Sequence, residues 1–185
     1  MTIWRFADWL EPIAPEARLS LGEGSTPLVR SRRLGPSLGL PNLYFKLEIS
    51  NPTASYKDRF AAAAISHMVA AGKTRCVATS SGNTGSSLAA YCALAQIECL
   101  IAIVEGAPLG KLQQMLAYGA KLFRIRGFGL DPELTKEAFV TVKELGAQPG
   151  SATQVSSYSV SPLGMSGVKS LSYELAEQTS GQIDH

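Results

Sequence analysis

Beyond residue 56 the chain alternates two apolar patterns. Over 57–71 the alanines, Ile65, Met68 and Val69 recur at helical spacing, and Gly72 follows as a C-terminal cap. Residues 76–79 then read as a strand, 83–96 as a helix and 99–104 as a fully apolar strand. A helix over 108–118 has proline in its first turn and Gly119 behind it. A strand over 121–125 leads to a helix over 132–145, with Asp131 placed as its N-cap. A short strand at 152–155 and a helix over 163–178 complete the series. Short strands separated by helices of this length predict an α/β fold, a parallel sheet with helices on both faces. The right-handed crossover rule restricts it to few topologies.

The front of the chain lacks this regularity. Residues 1–40 are rich in Pro, Gly and Ser and weakly periodic, which predicts an extended arm with a short strand near 27–30. Strand-forming residues on both faces mark 43–48. At the other end, the run Thr-Ser-Gly-Gln-Ile-Asp-His at 179–185 reads as a helix exit leading toward a strand that does not follow. That predicts the interior of a longer protein.

Length and composition narrow the function. A chain of 185 residues, 45% hydrophobic, supports one ordinary domain, or one domain and part of another. Its net charge is +2 and its basic residues are scattered, apart from Arg30, Arg32 and Arg33. This argues against nucleic-acid and membrane partners. No signal-peptide pattern opens the chain and no apolar run approaches membrane-spanning length, so a cytoplasmic, soluble protein is expected. Cys76, Cys92 and Cys99 have no metal-ligand spacing and read as small buried hydrophobes in a reducing compartment. With only His67 and His185 as histidines, the sequence argues against a zinc site or a Ser-His-Asp triad.

Two features could carry chemistry. Lys57 stands at the start of a helix, where the helix dipole opposes positive charge, beside the apolar run Ala61 to Ala64. A lysine amine so placed can attack an aldehyde; the alternative is a solvated lysine in a first turn. The turn Ser-Ser-Gly-Asn-Thr-Gly at 80–85, between a strand and a helix, offers outward N–H groups and hydroxyls to an anion. Its alternative is an ordinary N-cap, with Ser81 or Asn83 satisfying the first amides. Neither G-x-G-x-x-G nor a P-loop is present. Lys111 either faces an anionic substrate across the cleft or is a solvated helix residue.

Several motifs occur together in order: Leu-Gly-Glu-Gly-Ser-Thr-Pro-Leu at 21–28, Leu-Glu at 47–48 and Asn-Pro-Thr-Ala-Ser-Tyr-Lys-Asp-Arg at 51–59. Ser-Ser-Gly-Asn-Thr at 80–84, Gly-Lys-Leu-Gln-Gln at 110–114 and Tyr-Gly-Ala at 118–120 follow. Together these resemble the threonine synthases, within the fold-type II pyridoxal phosphate enzymes. The resemblance implies that Lys57 carries the cofactor as a Schiff base and that Asn83 binds its ring hydroxyl oxygen. It implies that Ser80, Ser81 and Thr84, with Lys111 and Ser159, bind an amino-acid substrate. It implies an arm and part of a large domain over 1–57, a small α/β domain over 58–154, and the start of the remaining large domain over 155–185. It also allows a homodimer.

The implied reaction converts O-phosphohomoserine and water to threonine and phosphate. The family's cofactor-phosphate loop and the residue facing the pyridine nitrogen would follow residue 185, so the cofactor site within this stretch is expected to be incomplete. Two positions depart from the pattern. Ser-Pro-Leu-Gly-Met-Ser-Gly at 161–167 has Gly164 where the resemblance implies a phosphate-clamping arginine. Phe60 stands where a small residue is usual. Two further readings stay open: a related fold-type II enzyme such as a serine/threonine deaminase or sulfur-amino-acid synthase, and a non-catalytic binding module that has lost the cofactor.

Overall fold

The computed structural model describes residues 1–80 and 82–184. Strands β1 (Leu28–Arg30) and β2 (Tyr44–Lys46) pair antiparallel, with the single-turn helix α1 (Leu34–Ser37) between them. Helix α2 (Lys57–Ala70) then opens a regular series: β3 (Arg75–Thr79), α3 (Asn83–Ala95), β4 (Glu98–Ile103), α4 (Leu109–Ala117), β5 (Lys121–Arg124), α5 (Pro132–Ala147), β6 (Ser151–Gln154) and α6 (Pro162–Gln178). The last four strands form one parallel sheet in the order β5-β4-β3-β6. No helix among the described residues is long and apolar enough to cross a membrane.

Alternation along the strands builds two cores. Cys76 and Ala78 of β3, with Cys99, Ile101 and Ile103 of β4, join α2 and α3 in the larger one. Val77 and Ala102 point the other way and meet Ala138 and Val142 of α5. Helices therefore cover both faces, as a parallel sheet requires.

Helix α2 has no wet face over most of its length. Every residue from Asp58 to Ser66 is buried, because α3 and α6 both lie against it. The run Ala61 to Ala64 belongs to this packing, because small side chains let helix axes approach. At the crossing with α6, a Cβ added at Gly167 would collide with the Arg59 carbonyl oxygen and lie 2.7 Å from Ala63 Cβ.

The front of the chain corrects the expectation of an extended arm. Ile3–Trp9 and Pro15–Ala17 are 3₁₀ helices, and Ile3, Phe6, Leu10 and Ala17 are buried. Phe6 and Trp9 pack against Tyr173 of α6, with ring centroids 5.5 and 5.1 Å away. The 43–48 strand is shorter than expected. It gives way to a 3₁₀ turn at Glu48–Ser50, where the Glu48 carboxylate faces Arg59.

Arg59 is fully buried and forks between two carboxylates. Its Nε and Nη2 donate to Glu48 at 2.8 and 2.9 Å; its Nη1 and Nη2 donate to Glu174 at 2.8 and 2.9 Å. Lys46 Nζ adds a bond of 2.7 Å to Glu174. One network thus joins the first residues of α2 to the hairpin and to α6, and sets where α2 begins.

Candidate functional site

In open parallel sheets ligands bind beyond the carboxyl ends of the strands, where neighbouring connections diverge. Here that place lies between β3 and β6: β3 runs through α3 to β4 on one side, and β6 runs on into α6. Ser80 at the end of β3 and the loop at 155–161 after β6 lie at these strand ends, and the start of α2 reaches them through the Lys57–Ser156 hydrogen bond.

Lys57 is the first residue of α2. Ser55 Oγ accepts its backbone N–H at 3.3 Å. Its Nζ donates to Tyr56 OH at 2.7 Å and to Ser156 Oγ at 2.5 Å, and lies 4.3 Å from the centre of the Tyr56 ring. No carboxylate pairs with it among the described residues. The amine is therefore oriented by neutral oxygens alone. Sequence reasoning missed both partners. Tyr56 stood inside the motif; Ser156 had as its only signal a serine cluster directly after a strand.

Asp58 is turned inward, away from Lys57. Its Oδ2 accepts Thr53 N–H at 2.7 Å and its Oδ1 accepts Thr53 Oγ1 at 2.6 Å, while Ser87 Oγ lies 2.9 Å from Thr53 Oγ1. Burial pushes its carboxyl up; hydrogen bonds from Thr53 and Ser87, and then the positive charge of Lys111, partly oppose this. Lys111, in the first turn of α4, thus exerts its field on the start of α2. Its Nζ is 3.4 Å from Gln114 Oε1.

Ser80 performs the structural task that the capping alternative gave to Ser81 or Asn83. Its Oγ accepts the N–H groups of Gly85 at 2.9 Å and Gly82 at 3.3 Å. The N–H groups of Asn83 and Thr84, in the first turn of α3, meet no acceptor among the described residues. They and the exposed Asn83 side chain form the open end of a helix, a place suited to an anion. Ser81 lies outside the described residues. A Cβ at Gly85 would be 2.6 Å from Met115 Cε, so glycine there lets α4 close against the turn.

Ser159 is exposed, and its Oγ lies 2.9 Å from Ser157 Oγ rather than at Lys57. Its loop reaches the site through Ser156. Gly164, in the first turn of α6, is buried: a Cβ there would be 2.7 Å from Phe60 Cε2 and 2.8 Å from Ala64 Cβ. The two departures from the expected pattern are therefore one structural feature, with the Phe60 ring in the space over Gly164.

These residues fit pyridoxal phosphate. A lysine held by hydroxyls, with no carboxylate paired to it among the described residues, can bond an aldehyde, and the open N–H groups of Asn83 and Thr84 can take an anionic group.

Comparison with known proteins agrees. The profile of the family described as "Pyridoxal-phosphate dependent enzyme" matches residues 19–185. The chain is 32% identical over 188 residues to the threonine synthase of Methanocaldococcus jannaschii, covering 98% of this chain and 43% of that protein. It is 33% identical over 186 residues to the threonine synthase of Methanosarcina acetivorans, covering 98% of this chain and 42% of that one. It therefore spans less than half the length of these two relatives. Among solved structures, the serine racemase of Dictyostelium discoideum superposes with a TM-score of 0.68 at 26% identity, over 84% of this chain and 48% of that one. A pyridoxal 5'-phosphate-dependent aspartate racemase gives 0.66 at 26% identity, over 84% and 46%. The sheet, the lysine at its edge and these matches agree: the chain belongs to the pyridoxal-phosphate dependent enzymes.

Proposed function

We propose that this chain carries the lysine-bearing part of a threonine synthase-like lyase, which converts O-phosphohomoserine and water to threonine and phosphate. The observation that carries this reading is Lys57 Nζ, held by Tyr56 and Ser156 without a carboxylate, at the strand ends of a sheet whose sequence relatives are threonine synthases. When bound, pyridoxal phosphate supplies an electron sink for charge developing next to the substrate's amino group. Lys57 Nζ would hold the cofactor through its aldehyde group and would carry protons at the substrate carbons, with Tyr56 OH and Ser156 Oγ aiming it. Asn83 would hold the cofactor through its ring oxygen. The open N–H groups of α3, with the hydroxyls of Ser80, Ser81 and Thr84, bind the substrate carboxylate. Lys111 would hold the departing phosphate, and Ser159 would join it by turning from Ser157. The protein acts on a small amino acid in the cytoplasm, and neither nucleic acid nor a membrane takes part.

A second reading is favoured by one feature. The Phe60 ring over Gly164 occupies the place from which the family resemblance would extend a phosphate-clamping arginine. Without that bidentate ligand, a fold-type II enzyme acting on an unphosphorylated amino acid gains weight.

Cofactor binding comes first in the test. Pyridoxal phosphate mixed with the longest available chain should develop a visible band that is lost in Lys57→Ala. No Lys57-dependent band would sink both enzyme readings and leave the non-catalytic module. Phosphate release from O-phosphohomoserine, against ammonia release from threonine, then chooses between them.

A further inference from the structure

The three cysteines, separated in sequence, meet in space. Cys76 and Cys99 are register partners on the adjacent parallel strands β3 and β4, so their side chains leave the same face of the sheet. Cys92, on the last turn of α3, comes down onto that face. The three Sγ atoms all lie within 4.8 Å of one another. Cys76 and Cys92 are fully buried and Cys99 is 5% exposed. No disulfide joins them. The nearest strand-end chemistry, at Ser80, lies beyond the C-terminal end of β3, whereas Cys76 is the strand's second residue.

We propose that Cys76, Cys92 and Cys99 form a trigonal site for a soft monovalent metal ion, copper(I). Thiolate and thiol sulfur favour soft ions. Metal–sulfur bonds of about 2.3 Å place the three sulfurs of a planar trigonal site about 4 Å apart, within the observed spread. Zinc in structural sites takes four ligands, and no fourth Cys, His, Asp or Glu joins this cluster among the described residues.

Charge points the same way. The site sits in an apolar core, where net charge is costly. One thiolate and two thiols around a monovalent cation are neutral. On loading, the S–H bond of one cysteine breaks and its proton leaves to solvent. Three Cu–S bonds form, and no electron is transferred. The site is independent of the pyridoxal phosphate reading. With all three cysteines buried, ion entry needs local opening of the fold.

The test uses the intact chain without air. Copper(I), supplied as its acetonitrile complex, is titrated against a chromogenic copper(I) chelator. One equivalent should be withheld from the chelator, emit as a solvent-shielded copper–thiolate centre and raise the Tm. Cys92→Ala and Cys99→Ala should each lose all three signals while keeping a cooperative unfolding transition. Should either variant fail to fold, alkylation of the wild type decides. Under mild denaturation the apo chain should take three alkyl groups, and the loaded chain should resist. Complete withdrawal of copper by the chelator, retention of the signals in folded single-cysteine variants, equal alkylation with and without copper, or equal competition by zinc(II) would each overturn the proposal.

Discussion

At the scale of single residues, chemistry and architecture are shared out within each motif. In Tyr-Lys-Asp-Arg, Lys57 faces the crevice, while Asp58 and Arg59 turn inward to tie the loop before α2 and the helix α6. Ser80 likewise holds the start of α3 by accepting the N–H groups of Gly82 and Gly85. This separates two substitutions. Ser80→Ala removes the oxygen that accepts Gly85 and Gly82 N–H and should cost about 1 kcal/mol, as lost caps do. Thr84→Ala should leave stability within about 0.5 kcal/mol and act only on ligand binding. Urea midpoints for both variants, beside cofactor and substrate titrations, check the contrast. Lys57 and the turn after β3 could be read from sequence because residue type and helix position suffice for them. Ser156 could not, because its role depends on β6 returning beside β3.

At the scale of elements, α2 is the hub. Its helical spacing was plain, but the stripe was not amphipathic, and the structure gives the reason: α3 and α6 bury it from two sides. The contact of Phe60 with Gly164 lies in this packing. Gly164→Arg alone forces a Cβ against Phe60 Cε2 and Ala64 Cβ and should destabilise the chain by about 1–3 kcal/mol, the usual cost of overpacking. Phe60→Gly leaves a cavity and should cost about 3–5 kcal/mol alone. Combined, the two should be less damaging than their sum by about 1 kcal/mol or more, since they share one space. A double-mutant cycle by urea unfolding measures this coupling. Additive effects would mean that the two positions are independent.

At the scale of the whole molecule, buried carboxyl groups set opposing pH dependences. Burial alone would raise Glu174, but hydrogen bonds from Arg59 and Lys46 outweigh it and hold it down at about 2; Glu48 is lowered in the same way by Arg59 and Thr26. Their stabilisation is present above the ordinary carboxylate range and is lost as pH falls through their native values. Glu23 is the reverse. Fully buried, it accepts hydrogen bonds from Ser20 Oγ, Leu21 N–H and Tyr91 OH on Oε2, while its Oε1 has no partner among the described residues. Burial pushes it up despite these bonds, so the native state holds a proton that the unfolded chain releases near 4.5. Stability from that proton is lost as pH rises through the native value. Unfolding free energy should therefore peak in mild acid. Glu23→Gln should flatten the decline above the peak and leave the acid limb unchanged, as read from urea midpoints across pH.

The sequence by itself determined the order of strands and helices from residue 57 onward, the covered parallel sheet, and the motifs that place the chain among the pyridoxal-phosphate dependent enzymes. These follow from periodicity, caps and short motifs, which act over a few neighbouring residues. It misread the first forty residues as extended, because anchors at Ile3, Phe6 and Leu10 gain burial only against α6 and the core. Only the tertiary structure gave Lys57 its partner Ser156, set Phe60 over Gly164 and gathered Cys76, Cys92 and Cys99 around one point. Each of these joins residues far apart in the chain, and strand order and helix packing alone decide which distant residues meet.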